Sequence, residues 1–153
     1  MSADRRIGPT SDERTHSQIM QAPDTNTFAA LFERETLDRI FPADRADRFF
    51  EALLGDPEEG AYDIRLRYNS FQNGQLLFDL ELHQRPKKCL ACNLTYGLPT
   101  VFARHPIINV QEVVDQIGRL LEGRGHCKGW TLGATQERSR KLHIVPLIID
   151  WEA

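Results

Sequence analysis

The chain has 153 residues, 41% hydrophobic and 27% charged, and a formal net charge of −3 at pH 7. That is the length and composition of one globular domain, and the slight acidity excludes the overall basic field of a nucleic-acid binder. Residues 1–6 form no apolar leader, the longest apolar run is cut by Pro146, and three cysteines cannot build a disulfide framework; no secretory signal or membrane span is expected, but a cytoplasmic protein with reduced thiols.

Residues 1–25 carry Gly8-Pro9, Ser11-Asp12 and Pro23-Asp24 with few large aliphatics and no apolar period, so burial there can hardly offset the entropy of ordering. A flexible tail over 1–25 and a single domain over 26–153 are expected. Phe28, Leu31, Phe32, Thr36 and Ile40 recur at helical spacing up to Pro42, which closes that helix. Ala46, Phe49, Phe50, Leu53 and Leu54 form the face of a second, with Asp44 and Asp47 at its start and Gly55 at its end.

The period then changes to two. Tyr62, Ile64, Leu66 and Tyr68 alternate with polar residues, as do Leu76, Phe78, Leu80 and Leu82, around the hairpin signal Asn73-Gly74. A two-residue loop pairs Tyr68 with Asp79 and opposes core to surface. A three-residue loop, Gln72-Asn73-Gly74, pairs Tyr68 with Phe78 and Ile64 with Leu82; a type I turn with Gly74 left-handed and a bulge is therefore predicted. A third strand is read over 88–96, with Leu90, Cys92, Leu94 and Tyr96 on one face and Cys89, Ala91, Asn93 and Thr95 on the other. Residues 97–106, with Pro99 and Pro106, read as a loop with a short extended piece at 100–102.

Asn109 and Glu112 form a capping box for a third helix, whose face is Val110, Val113, Val114, Ile117 and Leu121 and whose end is Gly123. Gly118 inside it costs about 1 kcal/mol against Ala, and close approach to the sheet is the expected compensation. Trp130, Leu132 and Ala134 mark a fourth strand, 136–140 a turn and 141–151 the last strand, with a bulge or an edge position at Pro146. The order is α-α-β-β-β-α-β-β: an α+β fold with an antiparallel sheet of about five strands and helices packed on one face.

Few residues offer chemistry. Cys89, Cys92, Cys127 and a histidine, His126 or His105, are zinc-type ligands. An offset of three along a straight strand, however, sends the two sulfurs of Cys89 and Cys92 to opposite faces. The alternative makes Cys92 a small core residue and Cys89 an exposed thiol. Redox use would need the pair at a helix N-terminus rather than in a strand. Seven bases against three acids over 84–128 suggest that Arg85, Lys87, Lys88, Arg104 and His105 form an anion-attracting patch or a solvated face. On the first hairpin Asp63 falls opposite His83 and Arg65 opposite Glu81; catalytic use would need burial that a wet sheet face does not give. No nucleophile elbow, zinc-protease helix, P-loop or dinucleotide loop is present, so no catalytic residue is assigned. Leu77 and Trp151 read as exposed apolar contacts for an oligomer or a protein ligand.

The order α-β-β-β-α-β-β over 27–151 is similar to that of small acidic type III secretion chaperones, which dimerise and bind unfolded effector segments. The chain departs from them in ending on a strand and in placing two helices before the sheet. The functional expectation is a non-enzymatic cytoplasmic interaction domain, a homodimer that holds a protein segment on its open sheet face or an edge strand. The alternatives are a zinc-binding regulatory domain and an enzyme or binder acting on a small anionic ligand.

Overall fold

The computed structural model describes residues 25–94 and 97–153; the expected tail lies outside them save for its last residue, as do Thr95 and Tyr96. Three helices come first, α1 (Thr25–Leu31), α2 (Arg34–Ile40) and α3 (Asp44–Leu54). The hairpin β1 (Tyr62–Gln72) and β2 (Gln75–Gln84) follows, then α4 (Leu98–Arg104) and α5 (Val110–Leu120), and last β3 (His126–Leu132), β4 (Gln136–Ser139) and β5 (Leu142–Glu152). The five strands form one antiparallel sheet in the order β1-β2-β5-β3, with β4 also paired to β5. The α+β class and the five-strand antiparallel sheet are as expected. The element order is not, and with it goes the order on which the chaperone resemblance rests. No helix among the described residues is long and apolar enough to cross a membrane.

The expected third strand is absent. β2 is paired on both sides, by β1 and by β5, so a strand following it cannot pair back onto it as a hairpin. The chain instead turns through Lys87, in left-handed backbone, and a short 3-10 turn at Ala91–Asn93. The extended piece expected at 100–102 lies in α4, where Gly97 is left-handed at the N-cap and Pro99 sits in the first turn. Proline there lacks only a donor that the helix leaves unused. The turn expected over 136–140 holds β4, and the first helix is divided at Glu33, which is extended.

The hairpin resolves a conflict between turn chemistry and side-chain parity. Tyr68 pairs with Phe78 and Ile64 with Leu82, as expected, but the register then shifts between Tyr68 and Ser70. Beyond that bulge Ser70, Phe71 and Gln72 pair with Leu77, Leu76 and Gln75. This leaves a two-residue turn in which Asn73 (φ 53°) and Gly74 (φ 74°) are both left-handed, the type I′ geometry rather than type I. The bulge stands at Asn69.

In β5 the parity runs unbroken. Leu80, Phe78 and Leu76 face Val145, Leu147 and Ile149, all in the core, while Leu142, Ile144, Pro146 and Ile148 share the other face. Pro146 is thus neither in a bulge nor at an edge. Its carbonyl accepts from Gly133 N at 2.8 Å, and a strand residue's N and O point the same way. The missing N–H therefore faces the outer neighbour, and that neighbour is interrupted between β3 and β4.

The helices cover the face carrying those apolar rows. Phe28 meets Phe71, Phe32 meets Phe78 and Phe50 meets Tyr62, with ring centroids 5.1, 5.0 and 4.8 Å apart. Arg45, buried in α3, donates to Ile108 O at 3.1 Å and Glu112 Oε1 at 2.8 Å, tying α3 to the start of α5. Asn109 caps α5 through the Glu112 N–H at 3.3 Å. Gly118 makes no close approach: a Cβ built there meets nothing within 4 Å, which removes the compensation expected for it. Gly118→Ala should raise stability by up to about 1 kcal/mol, measured by urea denaturation.

Candidate functional site

Cys89 and Cys92 stand side by side and are joined as a disulfide, which overturns the straight-strand reading and the expectation of reduced thiols for this pair. His126 and Cys127 are elsewhere. Cys127, a free thiol, pairs with Trp151, whose N–H bonds Gly74 O at the turn end of β2. Leu90, between the other two cysteines, bonds Gln84 at the opposite end of β2. Nine residue steps of strand separate the ends by about 30 Å. Those four side chains do not converge, and among the described residues no group of three or more His, Cys, Asp or Glu is arranged for a metal ion.

The basic cluster is also divided. Arg85 is a structural clamp: it donates to Asp63 Oδ1 at 3.0 Å, Asp47 Oδ1 at 2.7 Å and Pro57 O at 2.9 Å, and lies over the Phe50 ring. His105 packs edge-on against Phe49, and its Nδ1 accepts from Ile107 N at 3.2 Å. Lys87 and Arg104 are exposed and Lys88 is half-buried.

The uncovered sheet face holds a cleft that the sequence reading did not assign. Asp63 pairs with His83 and Arg65 with Glu81, as the register requires, yet Asp79 and Glu81 are each only 8% exposed on this nominally wet face. Together with Arg67, Asn69, Arg138, Leu142 and Ile144 they line a cleft of about 360 Å³. Glu81 accepts from Arg67 at 3.4 Å and meets His83 Nε2 at 3.0 Å. Asp79 accepts from the neutral amide of Asn69 at 3.2 Å. The bulges explain why these partners reach it. Asn69 is the extra residue of the β1 bulge, and Arg138 is the extra residue of a second one, between Glu137 and Ser139 in β4. Bulges re-aim side chains, and these two line the cleft on either side of Asp79.

From the cleft, Leu142, Ile144, Pro146 and Ile148 run along the outer side of β5, with Leu77 opposite Ile148. Leu77 is half-buried there, whereas Trp151 is buried in the core and donates to Arg124 O at 3.2 Å, against its expected exposure. The free edges are poorly suited to pairing. Arg34 donates to Leu66 O on the outer edge of β1, Arg65 and Arg67 lie on that strand, and the opposite edge is split into β3 and β4.

Burial raises the Asp79 carboxyl above the ordinary aspartate range, and Glu81 adds to the rise against the Asn69 hydrogen bond and the charges of Arg138 and Arg67. A carboxyl raised in the fold contributes stability while protonated and loses it as pH climbs through its folded value. Asp79→Asn should therefore stabilise the protein at neutral pH. The advantage should shrink as pH falls into the carboxylate range, which thermal unfolding from pH 7 down to 4 would show. Comparison with known proteins finds no family model, no curated protein and no solved structure that matches this chain.

Proposed function

We propose that this chain is a non-enzymatic binding module that holds a segment of a partner protein across its uncovered sheet face. A basic side chain of that segment enters the cleft over Asp79 and Glu81, and its apolar residues lie along Leu142, Pro146, Ile148 and Leu77. The observation that carries this reading is the pair of acidic residues, each only 8% exposed, lining an open cleft continuous with an apolar row. Exposed Arg138 lines the same cleft and its positive charge acts on Asp79, so a guanidinium of the chain itself already favours the charge that the guest's cation would meet. The capped and interrupted edges favour docking on the face over addition of a strand.

The test is fluorescence anisotropy with synthetic peptides in which a central Arg or Glu is flanked by apolar residues. The Arg peptide should bind about tenfold or more tightly than the Glu peptide, the scale of a buried interfacial charge pair. Asp79→Asn and Ile148→Asp should each weaken it, whereas Arg138→Gln, by removing the internal competitor, should tighten it. Equal binding of both peptides would overturn the proposal. So would a stable homodimer in light scattering that Ile148→Asp dissociates, since a second copy would then cover this face.

A further inference from the structure

In the loop between β2 and α4 the cysteine-bearing turn is anchored by the residue between its two sulfurs. Leu90 is fully buried and its N–H donates to Gln84 Oε1 at 3.1 Å, while Cys89, Ala91 and Cys92 around it are exposed. The 3-10 turn brings the Cys92 N–H to 3.2 Å from Cys89 Sγ. The disulfide spans a sequence separation of three, so it closes a very short loop and removes little freedom from the unfolded chain. Leu90 already fixes the segment to the core. What the bond adds is an accessible pair of sulfurs rather than a staple between distant elements.

We propose that Cys89 and Cys92 form a thiol–disulfide exchange site that takes a small anionic disulfide as its electron acceptor, with Cys89 the attacking sulfur. The Cys92 N–H aimed at Cys89 Sγ stabilises negative charge on that atom. Lys87 and Lys88, the two preceding residues, attract an anion to it. In the reduced protein the Cys89 thiolate attacks one sulfur of the acceptor. The bond between Cys89 and that sulfur forms as the acceptor's S–S bond breaks, and the other half leaves as a thiolate. Cys92 then loses its proton to solvent and attacks Cys89 Sγ; the mixed disulfide breaks, the second half leaves as a thiolate, and the Cys89–Cys92 bond forms. Two electrons pass from the protein to the acceptor. A soluble dithiol reverses the sequence and restores the reduced pair.

The experiment uses the full chain, reduced with dithiothreitol and freed of it, then exposed to glutathione disulfide, quenched by alkylation and mapped by mass spectrometry. The wild type should regain the Cys89–Cys92 bond well before Cys127 reacts. Cys92→Ser should retain one glutathione on Cys89, and Cys89→Ser should react at Cys92 about tenfold more slowly. A Lys87→Gln, Lys88→Gln variant should react several-fold more slowly with glutathione disulfide and at an unchanged rate with uncharged hydroxyethyl disulfide. Circular dichroism of each variant excludes a folding defect as the cause. Reaction at Cys89 no faster than at Cys127, or equal rates in the two serine variants, would overturn the proposal. A lysine variant that reacts as fast as wild type would do so for the anionic acceptor. Zinc bound by the two thiolates in untagged protein, one ion shared between two chains, would also overturn it.

Discussion

A type I′ turn at Asn73-Gly74 and an apolar face running from Tyr62 to Leu82 cannot coexist in a regular hairpin. The turn demands that residues summing to 147 pair; the apolar alternation of the longer arm demands 146. One looped-out residue in β1 reconciles them, and it falls at Asn69. On the turn side of that residue Phe71 reaches Phe28, and on the other side Tyr68 reaches Phe32 and Phe78. Both stretches of β1 thus contribute to the same core, and α1 is seated by them. The expelled residue is what supplies a hydrogen-bond donor to the opposite face of the sheet.

That opposite face departs from what packing alone would produce. Asp79 and Glu81 occupy positions where polar side chains ordinarily reach water, yet they lie at the floor of a cleft. Burial disfavours the ionised form of Asp79 without an evident return in fold stability. Charges held in such places are more common in sites than in scaffolds. Two of the three bulges among the described strands, those at Asn69 and Arg138, place their extra residue in this cleft.

Much of the fold was legible in the sequence. Period-two alternation located β1 and β2, the 3.6 period located α3 and α5, and the Asn109 cap was readable from one residue pair. Those signals are local. The errors came where the partner decides. Residues 88–94 alternate as a strand would, but β2 has no free side to offer them. The proline-bearing stretch before His105 has the composition of a loop, yet Pro99 suits a first helical turn. The zinc-type residues do not converge because spacing along the chain says nothing of which end of a strand a residue occupies, and Cys89 and Cys92 meet at a 3-10 turn beside the buried Leu90. The cleft is not visible in the sequence for a related reason: alternation places its acids on the outward face, but outward-facing residues are buried when bulged neighbours line the same cleft, and the β1 bulge is set by a parity conflict over a whole hairpin.

β5 is the last strand of the sheet in chain order and the only one among the described strands flanked on one side by β2 and on the other by both β3 and β4. Its insertion joins the early hairpin to the late strands. During synthesis the ribosome releases every other strand first, so the hairpin's apolar face and the outer strands must wait, unmated, until β5 emerges. Such long-range closure slows folding and lengthens the time that apolar surface stays open to other chains. Pairing of β5, rather than completion of any earlier element, is the step that closes the sheet and ends this exposure.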